Sequence, residues 1–173
     1  MHAPFHIRPA TSHDVDSLAE LGPRTFQEAF GALLPSEVIA ERMAVAYEPL
    51  RLTKDLADPN QAWFVAEVEE GLVGFISLRA GQAPDCVITP LPMELQRLYV
   101  AQPWHGRGPG LALLSAGQKE ARGRQHQSLW LQAWEANPRA LAFYLKQGFV
   151  TVGTQVVVLA GRELLHLVMT KTL

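Results

Sequence analysis

The sequence predicts an α+β protein whose single domain covers residues 1–173, with a mixed, mostly antiparallel sheet of about seven strands flanked by helices. Three observations lead to this prediction. Strand-like runs are interspersed with helical stretches, a glycine-rich turn lies past the middle of the chain, and 48% of the 173 residues are hydrophobic. A chain of this length and composition can bury a full core as one compact domain.

The first third of the chain is predicted to hold one strand and several helices. Phe5 to Arg8 is typical of a short strand, and Thr11 to Asp14 form a capping box for the helix that follows. Gly22-Pro23 predicts a kink in that helix or its division into two, because proline lacks an N–H group and clashes with the preceding turn. Further helices are expected to begin at Pro35 and to cover Pro49 to Leu56.

A hairpin and a loop follow. Ala62 to Val68 and Leu72 to Arg79 are strand-like runs joined by a short turn, which predicts an antiparallel pair. Gly74, inside the second run, indicates a bulge or a close approach of another backbone. The segment from Ala80 to Pro92 is rich in proline, so we expect a loop there, bordering the mouth of a substrate site.

A strand, a turn and a helix are predicted between Glu94 and Leu114. The turn His105 to Gly110 carries three glycines, and it would present the N–H groups of residues 105–108 and 110 at a helix N-terminus. Unpaired donors and the helix dipole favour an anion there, glycine lets a phosphate approach the backbone, and Arg107 adds a charged donor. Such a turn alone is more often a plain connection. The Walker pattern and the dinucleotide fingerprint are not matched.

The last third is predicted to alternate helix and strand before a closing hairpin. The helix after the turn should reach about Gly123, and Ser128 to Trp134 should form a strand. Asn137 is a good helix cap, and the next helix should run from Pro138 to Gln147. Two closing strands are predicted over Val150 to Leu159 and Glu163 to Thr170.

Composition narrows the classes of function. A formal charge of −2 and a pI near 6.3 give no footprint for nucleic acid. Cys86 is the only cysteine, which suits a reducing compartment. No run has the length of a membrane span, so we expect a cytoplasmic protein without membrane contact. The six histidines show no ligand spacing, and no metal is predicted.

Two motifs resemble those of the Gcn5-related N-acetyltransferases (the GNAT family), which transfer an acetyl group from acetyl-CoA to an amine. The first is the turn His105 to Gly110, which departs from the family pattern at His105 and Pro109. The second, Leu129 to Phe149, is far more specific. The resemblance covers most of the chain and is greatest to the diamine and polyamine branch, although His166 stands where that branch tends to carry an aspartate.

The resemblance implies a binding site for acetyl-CoA and no metal. The expected contacts are the strand that begins near Glu94, the glycine turn with the start of the helix that follows it, and the capped helix near the C-terminus. The residues expected to bind the cofactor are Leu98, Tyr99, Val100, His105, Gly106, Arg107, Gly108, Pro109, Gly110, Leu111, Asn137, Arg139 and Tyr144. Lys146 is a further candidate for contact with the 3′-phosphate.

Two catalytic residues are expected. An alkylamine is mostly protonated at neutral pH, so attack on a thioester requires a base, and Glu94 is the candidate; its alternative is a solvated glutamate at a strand end. The resemblance makes Tyr144 the general acid toward the leaving sulfur. Its alternative is a core tyrosine packed with Phe143 and Phe149.

The acceptor is predicted to be a small primary amine, with a polyamine ahead of amino acids, peptides and aminoglycosides. Three carboxylates of the helical N-terminal region, on Glu28, Glu37 and Glu41, could attract a second ammonium; their alternative is a solvated helix face. Two other functions remain open, a peptide or protein N-acetyltransferase and a non-catalytic CoA-binding sensor or interaction module. The chain is a possible homodimer.

Overall fold

The computed structural model describes residues 4–173 and confirms the predicted α+β class. The strands are β1 (His6–Pro9), β2 (Gln61–Val68), β3 (Gly71–Ala80), β4 (Pro92–Val100), β5 (Ser128–Trp134), β6 (Val150–Leu159) and β7 (Arg162–Thr172). The helices are α1 (Val15–Phe30), α2 (Ser36–Ala46), α3 (Pro49–Ala57), α4 (Pro109–Gly123) and α5 (Pro138–Lys146). Two 3₁₀ turns, Ser12–Asp14 and Gln102–Trp104, precede α1 and follow β4.

All seven strands belong to one sheet in the order β1-β2-β3-β4-β5-β7-β6. The β1–β2, β5–β7 and β6–β7 pairs are antiparallel, whereas β4 and β5 are parallel. The parallel ladder runs only from Pro92↔Ser128 to Glu94↔Trp130, although β4 continues to Val100 and β5 to Trp134. Because β7 lies between β5 and β6, the C-terminal hairpin joins the sheet through its second strand.

Helix α1 is continuous, so the expected division at Gly22-Pro23 is wrong. Pro23 lies inside the helix, and the hydroxyl of Thr25 donates to the carbonyl oxygens of Leu21 (2.9 Å) and Gly22 (3.0 Å). A Cβ atom on Gly22 would collide with the ring of Tyr47, so this glycine makes room for an aromatic side chain instead of ending the helix. Burial of one helix face therefore outweighs the local cost of the proline.

Two local predictions, a close backbone contact at Gly74 and a hairpin turn at Ala160-Gly161, are confirmed by the structure. Gly74 lies in close backbone contact, as expected, because an added Cβ would lie 2.9 Å from the carbonyl oxygen of Tyr99. The hairpin between β6 and β7 turns at Ala160 and Gly161, which have φ angles of 49° and 74°. Positive φ at both central residues matches the right-handed twist of the two strands and makes this connection a tight hairpin turn.

The chain divides into two compact units, each with buried apolar side chains of its own. The first comprises the chain up to Leu78 together with Arg97–Gly117, and the second comprises Arg79–Gln96 and Gln118–Leu173. In the first unit Phe75, Ile76 and Leu78 of β3 are fully buried. In the second unit Leu129 and Met169 are fully buried. None of the helices that the structure describes is both long and apolar enough to cross a bilayer.

Candidate functional site

The turn between β4 and α4 lies at the start of a helix of 15 residues. Gly106 and Gly108 have φ angles of 73° and 104°, which side-chain-bearing residues rarely adopt. The first hydrogen bond of α4 is donated by the N–H of Ala112 to the oxygen of Gly108 (3.0 Å). The N–H groups of Gly110 and Leu111 therefore precede the helical ladder and point to where an anion would sit.

Two donors that the sequence assigned to an anion at this turn are used by the turn itself. The N–H of His105 donates to the oxygen of Gln102 (3.1 Å), and the N–H of Arg107 donates to that of Trp104 (3.3 Å). This corrects the expectation that the N–H groups of residues 105–108 all face an anion. Pro109 has no N–H, so the remaining backbone donors are those of Gly106, Gly108, Gly110 and Leu111. A cradle of four donors still fits a pyrophosphate.

Side chains hold this turn in shape. A ring nitrogen of His105, Nε2, lies 2.6 Å from the carbonyl oxygen of Val100, which ties the turn to the end of β4. The guanidinium of Arg107 lies over the ring of Trp104, 5.8 Å from its centroid, and Arg107 is exposed. Gly108 faces the ring of Phe5, which would lie 3.5 Å from an added Cβ. The side chain of His105 thus stabilises the conformation of the turn, a role that its position in the motif did not indicate.

A carboxylate from α1 also supports the segment before the turn. The Glu28 oxygen Oε2 accepts a hydrogen bond of 2.8 Å from the N–H of Gln102, at the start of the second 3₁₀ turn. The sequence placed Glu28 among three carboxylates for a cationic acceptor. Glu37 and Glu41 are exposed on α2. Sequence reasoning missed the Glu28–Gln102 contact because 74 positions separate the two residues.

The C-terminal half of β4 borders an aromatic cluster within the first unit. The ring of Tyr99 lies 5.7 Å from that of Phe75 and 6.3 Å from that of Phe26. Burial raises the pKa of the Tyr99 hydroxyl, so this group stays neutral at physiological pH. Arg97 lies over the rings of Tyr47 (5.6 Å) and Trp63 (5.1 Å). Leu98 and Val100, on either side of Tyr99, are only partly buried.

The second unit holds the capped helix and its tyrosine. The Asn137 oxygen Oδ1 accepts a hydrogen bond of 3.1 Å from the N–H of Ala140, which confirms the predicted N-cap of α5. Tyr144 is 8% exposed, and its ring lies 5.4 Å from that of Phe143 and 5.5 Å from that of Phe149. The aromatic packing expected of a core residue is therefore present. Such packing fixes the ring and so also orients its hydroxyl.

Three other charged candidates lie in the second unit. Glu94 is half-buried near the start of β4, where its Cα is paired with that of Trp130. Arg139 and Lys146 are exposed on α5. Within residues 4–173, no group of three or more histidine, cysteine, aspartate or glutamate side chains is arranged to hold a metal ion.

A polar patch on the sheet was not predicted. The Gln132 nitrogen Nε2 donates to the Gln155 oxygen Oε1 (2.6 Å), and His166 on β7 is directly paired with both Trp134 and Gln155. The ring nitrogen Nδ1 of His166 lies 3.2 Å from the carbonyl oxygen of Leu164. Gln132 stands between the apolar Leu131 and Ala133 of β5 and points to the face opposite theirs. The meeting of Gln132 and Gln155 across β7 depends on the strand order.

Comparison with known proteins identifies one family. The model of the acetyltransferase (GNAT) family matches residues 25–149. An uncharacterised N-acetyltransferase of Mycobacterium tuberculosis is 31% identical over 142 residues, which are 82% of this chain and 86% of that protein.

Two solved structures resemble the fold over nearly the whole chain. The PaiA N-acetyltransferase of Thermoplasma acidophilum, in complex with coenzyme A, has a TM-score of 0.78 at 20% identity, and 98% of this chain and 99% of that chain are covered. The ribosomal-protein-alanine N-acetyltransferase of Brucella melitensis has a TM-score of 0.68 at 26% identity, with 97% and 99% covered.

Proposed function

Because this chain belongs to the GNAT family and is an acetyl-CoA-dependent N-acetyltransferase, we propose that its acceptor is a small primary amine. The observation that carries the cofactor half of this proposal is the turn between β4 and α4. Two glycines at positive φ, and N–H groups that precede the first helical hydrogen bond, form a cradle suited to a pyrophosphate. Sequence motif and backbone geometry thus favour the same ligand.

Within this proposal each cofactor residue has a role. The N–H groups of Gly106, Gly108, Gly110 and Leu111 bind the pyrophosphate, Arg107 adds charge, and His105 and Pro109 shape the turn. The backbone of Leu98, Tyr99 and Val100 binds the pantetheine and the thioester oxygen. Asn137 contacts the cofactor while capping α5, and Arg139 binds the 3′-phosphate.

The proposed chemistry needs three proton transfers, two from the nitrogen and one to the sulfur. Bound acetyl-CoA supplies the thioester carbonyl that the amine attacks. Glu94 removes a proton from the ammonium, directly or through a water, so that the nitrogen carries a free lone pair. Tyr144 donates the proton of its hydroxyl to the leaving sulfur, so that coenzyme A leaves as a thiol. One C–N bond forms and one C–S bond breaks. The nitrogen loses its second proton to the Tyr144 oxygen, which restores the hydroxyl, and the proton held by Glu94 passes to water.

Two acceptor classes have separate support. A polyamine is predicted from the sequence, but Glu28 already accepts a hydrogen bond from Gln102, which leaves Glu37 and Glu41 to attract a second ammonium. The second candidate is the N-terminal amine of a peptide. It is favoured by the 26% identity to a protein named as a ribosomal-protein-alanine N-acetyltransferase.

The test is a thiol-release assay with acetyl-CoA and a panel of polyamines, amino acids, peptides and aminoglycosides. We expect release with at least one amine, and we expect Tyr144→Phe to lower kcat by about tenfold or more while the Kd for acetyl-CoA stays within about twofold. The control is Phe143→Leu, which loosens the same aromatic packing without removing a hydroxyl. Cofactor binding with no thiol release from any amine would instead support a non-catalytic CoA-binding module.

Two properties of the chain outside the site remain predictions. We expect a cytoplasmic location, without nucleic acid or membrane as a partner. A homodimer would have a surface for pairing at β6, because β6 is the last strand of the sheet and exposes Val150, Val156 and Val158.

A further inference from the structure

One face of the β5-β7-β6 sheet carries a strip of neutral polar side chains. Residues paired across strands point to the same side, as do residues two positions apart on one strand. The pairs Gln132↔Val168, Trp134↔His166 and Gln155↔His166 therefore place Gln132, Gln155 and His166 on one face, and these three residues are the polar strip. Glu94 belongs to the same face, because it is paired with Trp130, two positions before Gln132.

The loop between β3 and β4 covers one end of this face and leaves the polar strip uncovered. Val87 packs against Trp130 and Val168, with Ala83 and Cys86 beside them. The Cys86 sulfur would lie 2.7 Å from a Cβ added to Gly153, so the loop rests directly on the glycine of β6. Beyond it, Gln132 and His166 are half-buried and Gln155 is exposed. The polar strip is therefore accessible to solvent, whereas the neighbouring part of the same sheet face is covered by the loop.

Charge is distributed unevenly along the face. Glu94 lies at one end, whereas His166 and, farther along β7, Arg162 lie at the other. Among the described residues of β5, β6 and β7, those on this face include no aspartate or glutamate. Asp85, next to Cys86 in the covering loop, is exposed and belongs to the covered end. From strand spacing, the Cα of Glu94 lies about 8 Å from that of Gln132 and about 16 Å from that of His166.

We propose, on the basis of the transferase function proposed above, that the polar strip binds the far end of the acceptor. That end carries a neutral amide or a carboxylate, not a second ammonium. With its reacting amine at Glu94, an extended acceptor places its tail on the strip. The Gln132–Gln155 hydrogen bond leaves one amide oxygen of Gln132 and the amide N–H groups of Gln155 to pair with an amide of the ligand.

His166 supports the same assignment. Its Nδ1 faces a carbonyl oxygen, which only accepts, so Nδ1 carries a proton and Nε2 is the nitrogen left for a ligand. Nε2 then accepts a hydrogen bond from an amide N–H of the ligand. A second ammonium would find no carboxylate on the strip. The acceptor class is therefore an amine with an amide-like or acidic tail, such as an amino-acid amide, an ω-amino acid or a short peptide.

The experiment compares linear amines of one length that differ only in their second group. Cadaverine, aminopentanol, aminopentanamide and aminopentanoate carry an ammonium, a hydroxyl, an amide and a carboxylate on the same carbon chain. We expect kcat/KM for aminopentanamide or aminopentanoate to exceed that for cadaverine by at least about tenfold, since unpaired polar groups penalise the wrong ligand. A cadaverine value above both would overturn the proposal while leaving the transferase function intact.

Variants locate the effect. Gln155→Ala and His166→Leu should lower the ratio of kcat/KM between the preferred substrate and cadaverine by about fivefold or more. The matched control is Thr154→Ala, because Thr154 is the exposed neighbour of Gln155 on the opposite face of β6. An equal change of this ratio in Thr154→Ala would show that the effect comes from damage to β6, and the strip assignment would then be wrong.

A second measurement does not depend on turnover. The acetylated products of aminopentanamide, aminopentanoate and cadaverine are titrated into the protein by calorimetry, with coenzyme A present. Tighter binding of the amide or carboxylate product, lost in Gln155→Ala but not in Thr154→Ala, would support the strip even in a protein that turned over no amine. Equal binding of all three products would overturn the strip, whatever the outcome of the thiol-release assay.

Discussion

Two serines of the sheet are fully buried but differ in what their hydroxyl groups contact. In β5, the Ser128 Oγ donates to the Oγ1 of Thr89 (2.9 Å) and also lies 3.2 Å from the carbonyl oxygen of Pro90. In β3, the Oγ of Ser77 is buried and, among the described residues, has no hydrogen-bond partner. A buried hydroxyl without a partner loses its contacts with water and gains nothing in return.

We therefore predict opposite effects of the same substitution. Ser77→Ala should leave the free energy of unfolding unchanged or raise it by up to about 1 kcal/mol, because it removes an unsatisfied group. Ser128→Ala should lower the free energy of unfolding by about 1 kcal/mol, since this substitution removes the hydrogen bond from Ser128 to Thr89. Urea denaturation at equilibrium measures both. A larger loss of stability in Ser77→Ala than in Ser128→Ala would contradict this account.

Single residues also show where sequence reasoning stopped. Asn137 was predicted as a cap and is one, because a cap needs only a side chain and an N–H three residues later. The interpretation of His105 as a phosphate ligand did not anticipate its bond to Val100. That bond depends on how the chain leaves β4, which no spacing of residue types encodes. The catalytic roles of Glu94 and Tyr144 are still predictions.

At the scale of elements, the turn before α4 makes a specific demand on its glycines. Gly106 has a φ of 73° with no atom within 4 Å of an added Cβ, and Gly161 in the β6–β7 turn has a φ of 74° with the same open surroundings. Alanine at either position imposes similar backbone strain, of about 1 kcal/mol. Only Gly106, however, lies where we propose a pyrophosphate.

Gly106→Ala should raise the Kd for acetyl-CoA by about fivefold or more, because the added methyl group keeps the anion away from the backbone. Gly161→Ala should lower the thermal midpoint as much as Gly106→Ala does, because the backbone strain is similar, but it should leave the Kd for acetyl-CoA within about twofold. Calorimetric titration and a thermal melt of both variants provide the comparison. Equal Kd values in the two variants would remove the cradle assignment at Gly106.

Elements with local determinants were predicted well from the sequence. Ser128–Trp134 was placed correctly as β5, and the predicted helix and hairpin boundaries elsewhere differ from the observed ones by few residues. Of the two outcomes predicted at Pro23, a kink or a division into two helices, the division is wrong, because the buried face of α1 holds the helix together where local propensity favours a break. Propensity is worth about 3 kcal/mol for a proline, and several buried side chains exceed it.

At the scale of the whole molecule, the order of the strands in the sheet could not be predicted from the sequence. The alternation of residues indicates that seven strands exist, but the insertion of β7 between β5 and β6 is a property of chain topology. The polar strip depends on that insertion, because Gln132 and Gln155 meet only across β7. A site assembled from several strands is therefore difficult to predict from the sequence, because its residues come together only once the strand order is known.

Global stability should respond to acid through one ion-pair network. Arg8 of β1 bonds both oxygens of Asp14 (2.8 Å each) and also Glu67 of β2 (2.7 Å). The hydrogen bonds from Arg8 lower the pKa of Asp14, which is buried. A group whose pKa is depressed by folding stabilises the protein above its unfolded pKa, and this contribution is lost as the pH falls through the folded pKa.

We predict that Asp14→Asn lowers the free energy of unfolding at about pH 7 by roughly 1.5–3 kcal/mol. The difference from the unmodified chain should shrink steadily as the pH falls below about 3.9. Asp16→Asn is the control, because Asp16 is exposed in the first turn of α1. Denaturant titrations from neutral to acidic pH give the measurement. A difference that stayed constant over this range would exclude the ion pair as its source.

Strand β6 also has a consequence for the aggregation of the protein on storage or heating. It is the last strand of the sheet, and its sequence from Val150 to Leu159 contains no charged residue and no proline. Such a segment has the composition of amyloid-forming peptides, and its outer edge is a template for further chains. Partial opening of the β6–β7 hairpin would expose both edges at once. We expect the rate of aggregation on storage to follow the opening rate of this hairpin, a kinetic quantity that equilibrium unfolding does not report.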